Sequence, residues 1–264
     1  MGDQPRAAND AGFLRVHELS LTFGGLRVLD GVTMTVRRGT VCGLVGPNGA
    51  GKTSLFNCVS GHYRPDGGSI RLDGADLLRV QPHRLAALGV ARTFQHPWLD
   101  PAATVLDNVL VGGHTRGRGG PFSLALRLPF VRRDEAQLRR RALELLDSLD
   151  LGGSAGRPAG SLPFGAAKRV EIARALLAEP RLLLLDEPAS GVAHDEVDAL
   201  AGLVLRLRRE LGLTILLVEH HMGMVSAVTD RVVALVEGRK VAEGSAAEVR
   251  RDPAVVEAYL GTVA

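Results

Sequence analysis

The chain has 264 residues, a net charge of +3, 45% hydrophobic and 23% charged residues. That length suits one large domain, or a domain with a sub-domain inserted, and the mix is that of a soluble globular protein. No apolar run approaches the ~18 residues needed to span a bilayer, so membrane work would have to go through a partner. The overall charge does not by itself imply a nucleic-acid partner.

In chain order, residues 1–11 are polar and do not read as a signal peptide. Arg15–Phe23 and Val28–Val36 read as strands, punctuated by Gly24-Gly25 and Arg38-Gly39. Thr40–Val45 reads as a buried strand and Thr53–Val59 as a helix. Between them lies Gly46-Pro47-Asn48-Gly49-Ala50-Gly51-Lys52-Thr53-Ser54, which fits the phosphate-loop pattern G-x-x-x-x-G-K-[ST] in its required strand–turn–helix setting. Glycines let backbone N–H groups approach phosphates, and the helix adds the positive end of its dipole. Lys52 offers a point charge to the β- and γ-phosphates, and Thr53 an oxygen to Mg²⁺.

Pro65–Gly68 marks a turn, Ser69–Leu72 a short strand, Pro82–Leu88 a short helix and Val90–Phe94 a strand that delivers Gln95 into a loop. The strands to this point look antiparallel, arranged around the nucleotide-binding strand. Thr104–Val111 reads as a helix. Gly112–Pro129 is rich in glycine and arginine, with an apolar patch at Phe122, Leu124, Leu126, Leu128 and Phe130. Asp134–Leu149 has the spacing of an amphipathic helix. From Thr115 to Arg141 there are eight arginines against two acids, fit for an anionic membrane, an acidic partner or simply a solvated helix face. The last third alternates: helix Phe164–Ala178, strand Leu182–Leu185, helix Asp195–Leu211, strand Thr214–Val218, then a hairpin of Arg231–Val236 and Lys240–Glu243. Such alternation indicates a mostly parallel sheet with ligands at the strands' carboxyl ends. Cys42 and Cys58, flanking the phosphate loop, read as buried thiols in a reducing compartment.

Leu182-Leu183-Leu184-Leu185 ends in Asp186-Glu187. A buried strand would hold both carboxylates rigidly, Asp186 for Mg²⁺ and Glu187 to polarise the attacking water. Gln95, on its loop, could touch both the cation and the water. His220 ends another strand and could reach the γ-phosphate.

These motifs, with Ser161-Leu162-Pro163-Phe164-Gly165-Ala166, occur in the order that resembles the ABC transporter ATPases. The resemblance covers nearly the whole chain. It is nearest to the LivG type of branched-chain amino acid importers, through Phe23-Gly24-Gly25-Leu26, Phe56-Asn57-Cys58, Ala91-Arg92-Thr93-Phe94-Gln95, the Gly112–Asp134 insertion and Ala258-Tyr259-Leu260-Gly261. It implies an α/β P-loop NTPase fold with a mostly parallel core sheet, an antiparallel β sub-domain and an inserted helical sub-domain. One domain would span 12–262: 12–95 and 166–244 as core, 96–165 as the helical part, 245–264 as a helical tail. It implies ATP and Mg²⁺ as ligands, with Phe23 stacked on adenine. Two such domains would pair head to tail, Leu162–Ala166 of one closing over ATP held by the other. The partners implied are a second ATPase subunit, identical or not, two integral-membrane permeases and, indirectly, an extracytoplasmic binding protein, with the chain peripheral at the cytoplasmic face. Nucleic acid is not implied. Alternatives in the same family are urea or amide uptake, lipopolysaccharide export, or a nucleotide-gated subunit of weak hydrolysis. Four positions depart from the family: Pro163 replaces Ser, Ala166 replaces Gln, Ala193 replaces Asp, and His221 stands where a small acid is common. These departures lead us to expect weaker ATPase in a homodimer than in a mixed pair.

Overall fold

The computed structural model describes residues 12–116 and 129–260. The apolar patch at Phe122–Phe130, most of the insertion and the polar residues 1–11 therefore lie outside the described residues or have no described side chains.

Two sheets organise the rest. Strands β1 (Leu14–Phe23), β2 (Leu26–Val36), β4 (Gly67–Leu72) and β5 (Ala75–Asp76) form an antiparallel sheet in the order β2-β1-β4-β5. The second sheet has the order β10-β9-β3-β8-β7-β6, from β3 (Val41–Val45), β6 (Val90–Arg92), β7 (Leu182–Asp186), β8 (Thr214–Val218), β9 (Arg231–Val236) and β10 (Arg239–Gly244). It is parallel except for β10, which runs antiparallel to β9 at the edge.

The expectation of antiparallel strands around the nucleotide-binding strand holds for β1, β2 and β4 and is corrected for β6, which joins β3 in the parallel sheet with Val90 paired to Leu182. The reason is burial. β3, β7 and β8 are buried along their whole length and need cover on both faces, which only a central position in a two-sided sheet supplies. Strand alternation then divides their side chains. Leu182, Leu184, Leu216 and Val218 join the core shared with the antiparallel sheet and helix α1 (Lys52–Val59). Leu183, Leu185, Ile215 and Leu217 face the opposite core, under the helices.

Those helices are α3 (Val105–Leu110), α4 (Pro129–Ser148), α5 (Phe164–Leu177) and α6 (His194–Leu211), the short α2 (Pro82–Leu85) lying before them in the chain. α4 begins five residues before the expected Asp134, with proline at its first position, where a missing N–H costs nothing. Helix α7 (Met222–Val228) was not legible in the sequence. Its cap is the His221 ring nitrogen, which accepts from Met224 N–H at 3.3 Å. Helices α8 (Ala246–Arg251) and α9 (Pro253–Leu260) follow the hairpin, α8 opened by a Ser245–Glu248 capping box. Both cysteines are buried free thiols, and burial pushes each up to about 12.

Candidate nucleotide site

Gly46–Ser54 joins β3 to α1 at the carboxyl edge of the parallel sheet. Two of its glycines are there for want of space. A Cβ on Gly46 would stand 2.1 Å from the Leu235 carbonyl oxygen, and one on Gly51 would stand 2.7 Å from that of Val28; both have positive φ. Lys52 is 8% exposed, and its Nζ donates to the carbonyls of Gly46 (2.6 Å) and Pro47 (2.8 Å). Burial lowers its pKa, and the nearby Glu187 carboxylate works against that shift. Asn48 and Gly49 are exposed, Ala50 is buried, and Ser54 is half-buried. The loop's entry is held from the far end of the chain: Gly46 N–H donates to Tyr259 Oη of α9 at 3.1 Å.

Beside the loop, Thr53, Gln95 and Asp186 line one cavity of about 490 Å³ with His62, Arg92, Phe94, His96 and Trp98. Gln95 Nε2 donates to Glu187 Oε2 at 2.7 Å, and His220 Nδ1 lies 3.8 Å from the same oxygen. Glu187 has a φ of 46°, a backbone region uncommon for residues other than glycine, and its N–H donates to Val218 O. A Thr53 hydroxyl, a Gln95 amide oxygen and an Asp186 carboxylate are hard oxygen donors on one cavity wall. That donor set fits Mg²⁺ rather than a softer metal.

Several residues of the site were given no role by the sequence. Arg92 pairs with Asp186 Oδ2 at 2.8 Å and donates to Asn57 Oδ1 and Ser60 Oγ of α1. Glu219 is buried and accepts from the N–H groups of Ala189, His220 and His221, which fixes the chain around His220. Glu171 and Lys168 of α5 are also buried, at 1% and 3% exposure. Burial raises the Glu171 carboxyl and lowers the Lys168 ammonium. A run ending in charge, as at Asp186-Glu187, announces itself; a buried ion inside a helix does not.

The segment Leu162–Ala166 stands apart. None of the hydrogen bonds or ion pairs of the described residues joins it to Gly46–Ser54. Pro163 caps α5 with backbone geometry only. Phe164 is 40% exposed and packs against Gly191, where a Cβ would come within 2.8 Å of its ring. A Cβ on Gly165 would meet Glu196 Oε2, and Ala166 is buried in the helical core. Phe23 is 44% exposed and meets the Tyr63 ring edge-on, with centroids 5.0 Å apart.

A family model described as "ABC transporter" matches residues 29–190, and one described as "Branched-chain amino acid ATP-binding cassette transporter" matches residues 239–264. The chain belongs to the ATP-binding cassette family of ABC transporters. Its relatives include the high-affinity branched-chain amino acid transport ATP-binding protein BraF of Pseudomonas aeruginosa, 40% identical over 94% of this chain and 97% of that one. LivG of Escherichia coli K12, with the same printed function, is 39% identical over the same shares. Among solved structures, the ADP conformation of an ATP-binding cassette of an ABC transporter superimposes with a TM-score of 0.83. It is 33% identical and covers 95% of this chain and 99% of that one. A nucleotide-free cassette reaches 0.82 at 33% identity, covering 94% and 98%. The cassette fold and the nucleotide-binding character of the family are thus this chain's own. Among the described residues no helix is long and apolar enough to cross a membrane.

Proposed function

We propose that this cassette binds and hydrolyses ATP to drive an importer, with branched-chain amino acids or related small polar solutes as cargo. One observation carries the catalytic part. Gln95 and Glu187 are hydrogen-bonded beside a cavity that Thr53 and Asp186 also line, and Lys52 is close enough to Glu187 for its charge to be felt. The cargo rests on the relatives' printed functions and on the match at residues 239–264.

ATP would enter along Gly46–Ser54, with its adenine against Phe23. Lys52 would exchange the Gly46 and Pro47 carbonyls for the β- and γ-phosphate oxygens, a stronger pairing for a cation. Thr53, Gln95 and Asp186 would hold Mg²⁺, which when bound neutralises phosphate charge. Glu187 Oε2 would accept a proton from the attacking water once Gln95 turns away, since its amide now occupies that oxygen. His220, 60% exposed at its side chain, is free to swing toward the γ-phosphate. Leu162–Ala166 would close over the ATP of a second ATPase subunit, identical or not. Its separation from the chain's own phosphate loop favours that division of labour.

Residues 12–95 and 166–244 would act as the core with its β sub-domain, 96–165 as the helical sub-domain and 245–264 as the tail. Two integral-membrane permeases would hold the pair at the cytoplasmic face, and a solute-binding protein would act through them. A second reading, a nucleotide-gated subunit of weak hydrolysis, is favoured by one observation: helix α5 lacks a side-chain cap at Pro163.

The test is Glu187→Gln with ATP and Mg²⁺. The variant should accumulate an ATP-bound dimer on size exclusion and lose hydrolysis by ~100-fold or more. Undiminished turnover would remove Glu187 from its role. Leucine uptake by vesicles holding the whole transporter tests the cargo.

A further inference from the structure

Helix α5 grips the Gln95 loop at three points. Glu171 Oε1 accepts from Phe94 N–H at 3.1 Å. Arg174 Nη1 donates to the Trp98 carbonyl at 2.5 Å. Between them Lys168 Nζ donates to the Gln95 carbonyl. The same nitrogen donates to the Glu187 carbonyl at 3.1 Å. One ammonium therefore holds the main chain of both members of the pair whose side chains meet at 2.7 Å, although they lie 92 residues apart in sequence.

Lys168 is 3% exposed. Burial holds its pKa below the ordinary lysine value, and the carboxylates of Glu171, Glu219, Asp186 and Glu187 offset part of that penalty. Its Nζ also lies 5.6 Å from the centroid of the Phe164 ring, at the first position of the helix. Lys168 is thus one turn from the segment that would meet the second subunit's nucleotide. A lysine spent only on solubility would not be buried with two main-chain carbonyls as its partners.

We propose that Lys168 is a positioning residue that ties the start of α5 to Gln95 and Glu187 at once, so that a shift of the helix moves the main chain at both residues together. The proposal rests on the reading of Glu187 as the group that activates water. Two carbonyls on one nitrogen cannot move independently by more than a fraction of an ångström without losing a charge-assisted bond. A helix that shifts by more than the lysine stem can absorb must carry both or break one. The effect on rate follows from geometry, because misplacing a catalytic group by about 1 Å costs ~100-fold.

The chain supplies its own probe. Trp98 is the one tryptophan in the sequence, 82% exposed on the gripped loop. The experiment compares the full-length wild type with Lys168→Met, Lys168→Gln and Lys168→Arg, measuring kcat, the KM for MgATP, the melting temperature and Trp98 emission during an ATP titration. Lys168→Met should lose ~10- to 100-fold in kcat, with KM within about twofold and an altered Trp98 response. Lys168→Gln, which can reach one carbonyl only, should fall between, and it carries the test if Lys168→Met does not fold. Lys168→Arg, with a forked donor, should recover most of kcat. Two results would overturn the proposal: an unchanged kcat and Trp98 response in both the Met and Gln variants, or losses of kcat, ATP affinity and melting temperature in equal measure. A wild type that hydrolyses no ATP would sink the functional reading itself, and this inference with it.

Discussion

Arg92 holds its Nη2 2.8 Å from Asp186 Oδ2, and both side chains are more than nine-tenths buried. The guanidinium also lies over the rings of Phe56 and Phe94, at 5.7 and 5.4 Å from their centroids. One residue thus links the end of β7, helix α1 and the Gln95 loop. Its Nε has no partner among the described residues, so the pair is not fully satisfied. Removing one member leaves a buried charge alone, which costs ~3–5 kcal/mol. Arg92→Leu should lose about that much in denaturant unfolding, and Arg92→Leu with Asp186→Leu should lose less than the sum of the single changes. Additivity would mean that the two charges do not support each other.

Two departures from the family pattern, Pro163 before α5 and Ala193 before α6, fall on helix N-caps and offer no side-chain hydrogen bond to the helix. Serine and aspartate are among the best residues for that position, worth ~1 kcal/mol over alanine. Ala193→Asp should therefore raise the thermal midpoint, whereas Pro163→Ser gains a cap but gives up proline's pre-set φ, so its two effects offset. Restored hydroxyl and carboxylate groups at those helix starts should also raise the ATPase of a homodimer. Unchanged ATPase in both variants would assign these positions to stability alone.

The hydroxyl of Tyr259 receives the first N–H of the phosphate loop. Tyr259→Phe keeps the ring and deletes that acceptor, leaving one amide short of a bond worth ~1 kcal/mol. The melting temperature should fall by about 2–4 °C and ATP affinity by up to about fivefold, because the amide that enters the phosphate cradle is no longer held. Equilibrium titration of a fluorescent ATP analogue would show it. An unaltered Kd would mean that the loop holds its shape without α9.

Asp73 pairs with Arg181 and Arg38, and both guanidinium groups lie over the Phe13 ring. The hydrogen bond from Arg181, then that from Arg38, holds its carboxyl below the ordinary carboxylate value. A group depressed in the folded state stabilises it above the unfolded pKa and stops doing so as pH falls through the folded one. The stability difference between wild type and Asp73→Asn should therefore be full at neutral pH and close as the solution becomes strongly acidic. Melting curves from pH 7 down to about pH 2 would measure it. A gap that widened on acidification would contradict the assignment.

Parts whose chemistry is local can be read along the chain. Gly46–Ser54 is written as a run because a phosphate cradle is one turn of chain. Leu182–Asp186 announces a buried strand because its apolar residues are contiguous, and Gly212 stops α6 because a left-handed cap favours glycine. Long-range packing supplies what no short window can contain. β6 pairs with β7 across 90 to 182. His221 caps a helix the sequence pattern did not mark. Arg92, Lys168 and Glu171 look like ordinary polar residues of a strand and a helix, and gain their partners only when the chain brings distant carbonyls and carboxylates to them. Burial is the physical reason: it is set by what packs on a residue from elsewhere, and it turns an unremarked charge into one that must be paired.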